Sequence, residues 1–593
     1  MSFAVTTRSY DNTRSGANTQ ETLLTPAAIR RRGIKRLFTL ALPGDKRGCE
    51  AQPLIVPGVR LADGTRHDVV YVATMANQVF AFDANSGIRL WMVQLGPPIK
   101  GNTNIDAHLV NDHWGILSTP VIDVQTGLLY VCAWTSSNGS SDSGQHFLHA
   151  IRLSDGGDAH QPLNFEAVSY NPGHGRPVQH FRSAERKQRA ALLLHNGAVF
   201  VAFGTIAESA ATARGWLIAV DTAKFQVSAA WTSTSRGSGG GVWHSGAGPA
   251  ADAEGNIYVL TGNGDFDGVT DFGESIVKLR YTPPRANGVA SLAAVDWWTP
   301  WTDAGRTGGN PEGESAKNPS LEGRATNFRK DVHLARALGA DAMNMGDAWG
   351  DQDFGAAGPV LAPTIGAILA ANKDGILYTG NLQHLGQTRP ADLDAANTAA
   401  NYGRLKAAPI FYTYYPGPRS AAPSNPADLN FWSGNRTHHL HGTPVLWNSA
   451  KHGLTHFCWG ENGNLRAWAL SNTGVSTYVA CSAEVASAEA AVPLGGMPGG
   501  MISLSANGAT DGVIWASIPY DDANMRISPG RFLAYDAANF EKYSDGSGSM
   551  APLWDSQQWN WQFSHNKFNR PVVWNGRVFL PTYDAEIWVL GLA

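Results

Sequence analysis

The fold is decided by Val69-Val70-Tyr71-Val72-Ala73-Thr74, followed by Gln78-Val79-Phe80-Ala81-Phe82-Asp83-Ala84-Asn85-Ser86-Gly87 and Leu90-Trp91. Apolar residues alternate along these stretches, and Gly, Asn and Ser separate them. Alternation with period two predicts half-buried β-strands, and the small polar residues between them predict tight turns. The segment therefore predicts a unit of antiparallel strands that closes on a tryptophan.

Weaker copies of this unit recur along the whole chain. Together with the clear copy they give about eight starts, at Gln52-Pro53, Pro120, Leu192, Gly248-Pro249, Gly358-Pro359, Thr443-Pro444, Gly499-Gly500 and Arg570-Pro571. A radial array of such units lets each one bury its faces against its neighbours. We therefore expect an all-β fold, a single eight-bladed β-propeller spanning residues 1–593.

The two ends of the chain predict how the ring closes. The last unit, from Val572 to Leu590, supplies only about three strands, whereas Lys35 to Leu40 is a strand without a partner of its own. We expect the N-terminal strand to complete the last blade, which leaves no long free edge. Two polar stretches rich in Gly and Pro, near 282–350 and 388–436, do not fit the repeat and are predicted to be long inter-blade insertions.

Composition excludes several classes of partner. Lys plus Arg (45) nearly balances Asp plus Glu (49), so nucleic acid is not an expected partner. No apolar run approaches the ~20 residues that a membrane-spanning helix needs. The N-terminal residues lack the features of a signal peptide. The expected location is cytoplasmic, or periplasmic or secreted if a signal peptide was trimmed.

The four cysteines, Cys49, Cys132, Cys458 and Cys481, lie far apart in the sequence. Buried thiols and one or two disulfides both remain open. No CxxCH motif is present, so a covalently attached c-type haem is not expected. An oxidoreductase built on this chain would need an external electron acceptor, such as a cytochrome.

The segment from Ala81 to Trp91 resembles the tryptophan-docking repeat of the quinoprotein alcohol dehydrogenases, β-propellers that bind pyrroloquinoline quinone (PQQ). The resemblance spreads over nearly the whole chain. Within this wider group the chain looks closer to bacterial proteins with PQQ-like repeats, whose function is unsettled. The resemblance implies oxidation of a small-molecule alcohol with PQQ and Ca²⁺, with electrons passed to the external acceptor.

Three residues resemble the metal ligands of that family. Ala207-Glu208 ahead of Arg214-Gly215 is similar to the family stretch whose Glu binds the metal, and Thr261-Gly262-Asn263 is similar to the stretch whose Asn is a second ligand. Asp353 resembles the catalytic Asp, which implies a general base beside the metal. Oxygen ligands of these types suit Ca²⁺ better than zinc or copper.

Two further residues resemble those that contact the quinone. Trp243, after Gly239-Gly240-Gly241, falls where the family places the aromatic floor of the pocket, and Lys373 falls in a segment similar to the family's Asn-Lys-x-Gly. Lys373 would stabilise negative charge on the quinone oxygen. Gly355 stands where relatives that use lanthanides have an additional Asp, which favours calcium. The chain departs from the family in having no adjacent pair of cysteines.

Histidines offer an alternative site. His439 and His441 alternate along the approach to a blade start, which predicts that both side chains lie on one face, and His244, His113 and His565 precede other starts. If these starts line the axis, the imidazoles converge and bind a transition metal. Two functions thus stay open beside the quinoprotein: a propeller enzyme that uses this metal without PQQ, and a non-catalytic propeller for binding or assembly.

Overall fold

The computed structural model describes residues 3–208, 210–284, 289–299, 353–373, 376–387, 406–409, 439–490, 496–542 and 548–593. These residues form eight four-stranded antiparallel sheets that follow one another along the chain. In several pairs of neighbouring sheets, the first strand of one sheet contacts the first strand of the next. These first strands therefore line the axis of the ring. The expected all-β, eight-bladed propeller is confirmed.

Blades 1 to 4 are given from the inner to the outer strand. Blade 1 contains Leu54–Arg60, Arg66–Ala73, Gln78–Asp83 and Arg89–Gln94. Blade 2 contains Val121–Asp123, Leu128–Thr135, Gln145–Arg152 and Leu163–Asn164. Blade 3 contains Leu193–His195, Ala198–Thr205, Trp216–Asp221 and Gln226–Thr232. Blade 4 contains Ala250–Ala251, Asn256–Leu260, Ile276–Thr282 and Ser291–Trp298.

Blades 5 to 8 follow the same order. Blade 5 contains Val360–Ala362, Ala367–Ala371, Ile376–Asn381 and Lys406–Pro409. Blade 6 contains Val445–Ser449, Gly453–Cys458, Asn464–Leu470 and Ser476–Val485. Blade 7 contains Met501–Asn507, Thr510–Pro519, Gly530–Asp536 and Pro552–Asp555. Blade 8 contains Val572–Trp574, Arg577–Pro581, Glu586–Leu592 and the N-terminal strand Ile34–Ala41.

The N-terminal strand closes the ring as expected. Ile34–Ala41 pairs antiparallel with Glu586–Leu592 and is the outer strand of blade 8. It follows the helix Pro26–Arg32, whose first turn is capped by Thr25. Because Thr25 accepts the backbone N–H of Ala28, one of the unpaired donors of the helix start is satisfied.

Short elements lie outside the four-stranded pattern. Extra strands join blade 3 (Arg186–Lys187), blade 6 (Glu541–Lys542 and Gly548–Met550) and blade 7 (Ala17–Asn18), and two small hairpins pair Ile99–Lys100 with His113–Trp114 and Ser169–Tyr170 with Gln179–His180. The 3-10 turns are Ser141–Ser143, Ser183–Glu185, His244–Gly246, Pro363–Ile365 and Ser556–Trp559.

The stretches expected to be insertions contribute strands where they are described. Ser291–Trp298, inside 282–350, is the outer strand of blade 4, and Lys406–Pro409, inside 388–436, is the outer strand of blade 5. Most of the remainder of both stretches lies outside the described residues. The cysteines are four buried free thiols, which decides between the two alternatives. Within the described part of the chain, no helix is long and apolar enough to cross a membrane.

Residues 3–20, here called the axial segment, run around the inside of the ring. They form at least one hydrogen bond with the inner strand of every blade, through Ile55, Ile122, Leu194, Ala251, Leu361, Leu446, Leu504 and Val573. Most of these bonds join backbone groups, such as the pair between Val5 and Ile55 at 2.8 and 2.9 Å. The axial segment therefore satisfies inner-strand groups that would otherwise face an empty channel.

Two buried arginines of the axial segment, Arg8 and Arg14, anchor it to the ring, and a third, Arg570, is buried nearby. Arg14 donates to the carbonyls of Pro249 (2.9 Å), Arg8 (2.9 Å) and Leu192 (3.2 Å), and Arg8 donates to the carbonyl of Phe568 at 2.7 Å. Burial, and next the charge of Arg570 and Arg14, holds the pKa of Arg8 well below its usual range. Burial lowers the pKa of Arg14 and of Arg570 to about 10. The deep part of the axis is therefore filled by cationic side chains and backbone.

Candidate functional site

Two sets of loops meet on one face of the ring. In each blade the inner strand and the third strand run away from this face, and the second strand returns to it. The loop before each inner strand and the loop after each second strand therefore lie at the same end of the axis. Residues far apart in the sequence are brought together there by topology alone.

A cavity opens at this face. Its volume of about 300 Å³ is at the lower end of the range for small-molecule sites. Glu208, Trp243, Asp353 and Lys373 all line it. Glu208 follows the second strand of blade 3 and Lys373 that of blade 5, whereas Trp243 precedes blade 4 and Asp353 precedes blade 5. A larger groove of about 810 Å³ near Trp561 and Trp588 is lined by none of the candidate site residues predicted from the sequence.

Asp353 joins the loops of blades 4 and 5. Its Oδ1 accepts the backbone N–H of Asn263 at 2.9 Å, and its Oδ2 accepts Lys373 Nζ at 2.9 Å. The Asp353 and Lys373 side chains are only 3% and 6% exposed, so the ion pair is largely shielded from water. Gly262 is required here because a Cβ at that position would come within 2.3 Å of Asp353 Oδ1. Asn263 itself is buried at 3% exposure.

Trp243 forms an aromatic wall beside this ion pair. Lys373 Nζ lies 5.4 Å from the centroid of the Trp243 ring, within the range of a cation–π interaction. The ring centroid of Phe568 lies 6.3 Å from that of Trp243, with an angle of 70° between the two ring planes, and Phe568 also lines the cavity. The cavity thus combines aromatic faces with charged groups.

Three cations that sequence reasoning missed surround the cavity: Lys187, Arg189 and Lys567. Burial lowers the pKa of Lys187 to about 8, an effect that Glu208 and Asp106 oppose. Burial, and next the charge of Arg189, lowers the pKa of Lys567 to about 8. Arg189 pairs with the buried carboxylate of Glu50. The lysines are therefore partly deprotonated in mildly alkaline solution.

The five histidines of the alternative site are not brought together. His113 pairs with Asp45 Oδ2 at 2.8 Å and is partly exposed. His244 accepts the backbone N–H of Leu260 at 3.1 Å, and His565 is held by Ser517 at 3.1 Å. Burial lowers the pKa of His244 to about 4 and that of His565 to about 3, so both are neutral near pH 7.

His439 and His441 do converge, and their partner is Glu461. His441 Nε2 lies 3.0 Å from Glu461 Oε1, and His439 Nδ1 lies 3.7 Å from Glu461 Oε2. The His441 ring is 5.9 Å from Trp243, before blade 4, and 5.8 Å from Phe568, before blade 8. Blades 4 and 8 stand opposite each other in an eight-bladed ring, so residues in contact with both loops lie at the axis.

Glu461 is not among the site residues predicted from the sequence, although its position after a second strand is a usable signal. Glu208, Asn263 and Glu461 each stand three residues after the last residue of a second strand, and Lys373 stands two residues after one. Residues two or three positions after the second strand line the cavity in blades 3 and 5, and in blade 6 the corresponding residue contacts His441. A search for polar residues just after each second strand would have found Glu461.

Comparisons with known proteins give structural similarity only. No protein-family profile matches the chain, and no curated protein matches it. The solved structure of quinohemoprotein alcohol dehydrogenase ADHIIG from Pseudomonas putida HK5 is similar with a TM-score of 0.52 at 12% identity, covering 99% of this chain and 80% of that one.

Two other solved structures are similar over most of their length. Quinohemoprotein alcohol dehydrogenase from Comamonas testosteroni has a TM-score of 0.46 at 15% identity, covering 99% of this chain and 80% of that chain. A europium-containing methanol dehydrogenase has a TM-score of 0.45 at 12% identity, and the similarity covers 99% of this chain and 98% of that chain. The similarity to the Pseudomonas putida structure supports the fold alone, a β-propeller of the kind found in that quinohemoprotein alcohol dehydrogenase.

Proposed function

We propose that this protein is a quinoprotein-type oxidoreductase that oxidises an alcohol with PQQ and Ca²⁺ and passes electrons to an external acceptor such as a cytochrome. One observation carries the proposal. Glu208, Trp243, Asp353 and Lys373, which come from different loops and were selected by motif, line a single cavity at the axis. Chance placement on a ring of eight blades would scatter them over both faces.

Residues of the cavity and of the loop beside it fit both groups. Glu208 and Asp353 line the cavity, whereas Asn263 lies in the neighbouring loop and donates its backbone N–H to Asp353. Together they offer carboxylate and amide oxygens, the ligands that Ca²⁺ prefers. A carboxylate has about four lone-pair sites, so Asp353 retains acceptor capacity beyond Asn263 and Lys373. Trp243 offers a flat face for a planar quinone. When bound, PQQ supplies a two-electron acceptor and Ca²⁺ polarises its carbonyl.

The protein's own groups account for proton transfer and binding of the cofactor. Asp353 accepts the hydroxyl proton of the alcohol at a carboxylate oxygen, and Lys373 compensates the charge of that carboxylate at 2.9 Å. Lys187, Arg189 and Lys567 place positive charge around the cavity, which favours a ligand that carries carboxylates. Trp243 and Phe568 exclude water from one side.

Reconstitution tests the proposal. Purified protein is incubated with PQQ and Ca²⁺, and dye reduction is followed with a panel of primary and secondary alcohols. We expect turnover that requires both additions, and we expect Asp353→Asn to lower kcat about 10³-fold, because it removes the base while conserving shape.

Asp252→Asn is the matched control. Asp252 is also buried, at 7% exposure, but it bonds to Asn256 and Tyr258 inside blade 4, away from the cavity. This variant should retain kcat even where its melting temperature falls. No dye reduction with any alcohol in the panel, or equal activity in Asp353→Asn, contradicts the proposal.

A further inference from the structure

A second cluster on the axis offers a different set of donor atoms. His439, His441 and Glu461 each present one ligand atom, and these atoms lie within 4.8 Å of one another. Two ligands that bind one transition-metal ion at ~2.1 Å stand about 3.0–3.4 Å apart in octahedral or tetrahedral geometry. His441 Nε2 lies 3.0 Å from Glu461 Oε1, within that range, and His439 Nδ1 lies 3.7 Å from the other carboxylate oxygen, Oε2, slightly beyond it.

The cluster is held in place by bonds to its surroundings. The backbone N–H of Glu461 donates to the carbonyl of His439 at 3.0 Å, which links the two loops that carry the ligand atoms. Ser245 Oγ lies 3.1 Å from His441 Nδ1, so the other ring nitrogen, Nε2, is the one directed at Glu461. Partners of this kind fix the orientation of metal-binding imidazoles.

The cluster is largely buried, which is compatible with a bound cation. Glu461 is 2% exposed and His441 is 1% exposed, whereas the His439 side chain is 16% exposed. A buried carboxylate is costly unless a positive charge or a metal compensates it. Two imidazole nitrogens and one carboxylate oxygen suit Zn²⁺, Fe²⁺ or Co²⁺, and they leave positions open for water or another ligand.

We propose that His439, His441 and Glu461 bind one divalent transition-metal ion at the axis, beside Trp243. The proposed site differs in chemistry from the oxygen ligands around Asp353, and it does not depend on PQQ or calcium. The two sites flank the same tryptophan, since Lys373 lies 5.4 Å and His441 5.9 Å from its ring centroid.

Cobalt titration tests this site directly. Protein stripped with a chelator is titrated with Co²⁺, without PQQ or Ca²⁺, and visible absorption reports the coordination. We expect one equivalent to bind, Zn²⁺ to displace it and a large excess of Ca²⁺ to leave it in place. Glu461→Gln and His439→Gln should each weaken Co²⁺ binding about 100-fold.

His452→Asn is the matched control, because His452 lies in blade 6 and bonds to the carbonyl of Ala538 instead of the cluster. It should bind Co²⁺ as the unaltered protein does. If Glu461→Gln fails to fold, as judged by circular dichroism, the partly exposed His439→Gln decides the outcome. Absence of Co²⁺ binding to the unaltered protein, or equal affinity in a folded ligand variant, overturns the proposal. Either result leaves the dehydrogenase test unaffected.

Discussion

Buried charged groups have different partners in the cavity and in the axial segment. At the cavity, lysines and carboxylates surround a space of about 300 Å³, and Asp353 is paired with Lys373 across two loops. Deeper along the axis, Arg8 and Arg14 are held by backbone carbonyls, and the axial segment fills the ring. Cations that face a cavity can serve a ligand, whereas cations that contact only protein serve folding.

Removal of the axial segment is the strongest test of this difference. It forms at least one hydrogen bond with each of eight blades. At about 1 kcal/mol each these bonds represent about 8 kcal/mol, comparable with the whole stability of a typical domain. A variant lacking residues 2–20 should therefore show no cooperative melting transition in calorimetry. A normal transition in this variant would mean that the segment is only an attachment.

Arg14→Met probes the same region with a single side chain. The carbonyls of Leu192, Pro249 and Arg8 lose their donor, so the free energy of unfolding should fall by about 3 kcal/mol in urea titrations. Co²⁺ affinity and alcohol oxidation of the folded protein should not change. Loss of activity without loss of stability would place Arg14 in the functional half of the axis.

Trp243→Leu probes the wall between the cavity and the histidine cluster. Removal of the flat indole should weaken PQQ binding about fivefold, because stacking on an aromatic face contributes about 1 kcal/mol. The measurement is an equilibrium titration of PQQ in the presence of Ca²⁺, with Trp231→Leu as a control, since Trp231 packs inside blades 3 and 4. An equal loss of affinity in both variants would indicate a general effect of packing.

The pH dependence of PQQ binding should be the smallest effect. Lys187 and Lys567 have pKa values lowered to about 8, so they lose positive charge as the pH rises through 8. Affinity for the anionic PQQ should fall a few-fold between pH 7 and pH 9, and Lys567→Met should flatten the profile. The free energy of unfolding should change with pH in the opposite direction. Between pH 8 and 10.5 the unfolded chain binds more protons at these lysines than the folded protein does, because their unfolded pKa is about 10.5. Stability should therefore rise with pH over this range.

The sequence predicts the ring of blades well because the same pattern of alternating apolar residues is repeated along the chain. Alternating strands such as Val69 to Thr74 recur in each blade, and the incomplete last unit identifies the N-terminal strand as its partner. The axial segment gave no such signal. Its bonds to the blades are mostly made by backbone groups, which leave no pattern in side chains, and its register depends on all eight inner strands at once.

The cavity was predictable only in part, for a related reason. Glu208, Trp243, Asp353 and Lys373 lie in motifs that can be read locally, whereas Arg189 and Lys567 lie in the loops before blades 3 and 8 without such a motif. Their sequence neighbours, Ala190 and Asn566, give no sign of a ligand site. Glu461 has a local signal, its place after a second strand, but this signal becomes visible only when several blades are aligned.

The axial segment also sets the order in which the chain can mature on the ribosome. Residues 3–20 are made before every inner strand that they contact, and Ile34–Ala41 is made before its partner Glu586–Leu592. Both must wait, unpaired, while the blades emerge one after another. The nascent chain therefore carries two extended segments without their partners through nearly all of its synthesis, which exposes unpaired backbone groups until the last blade is made.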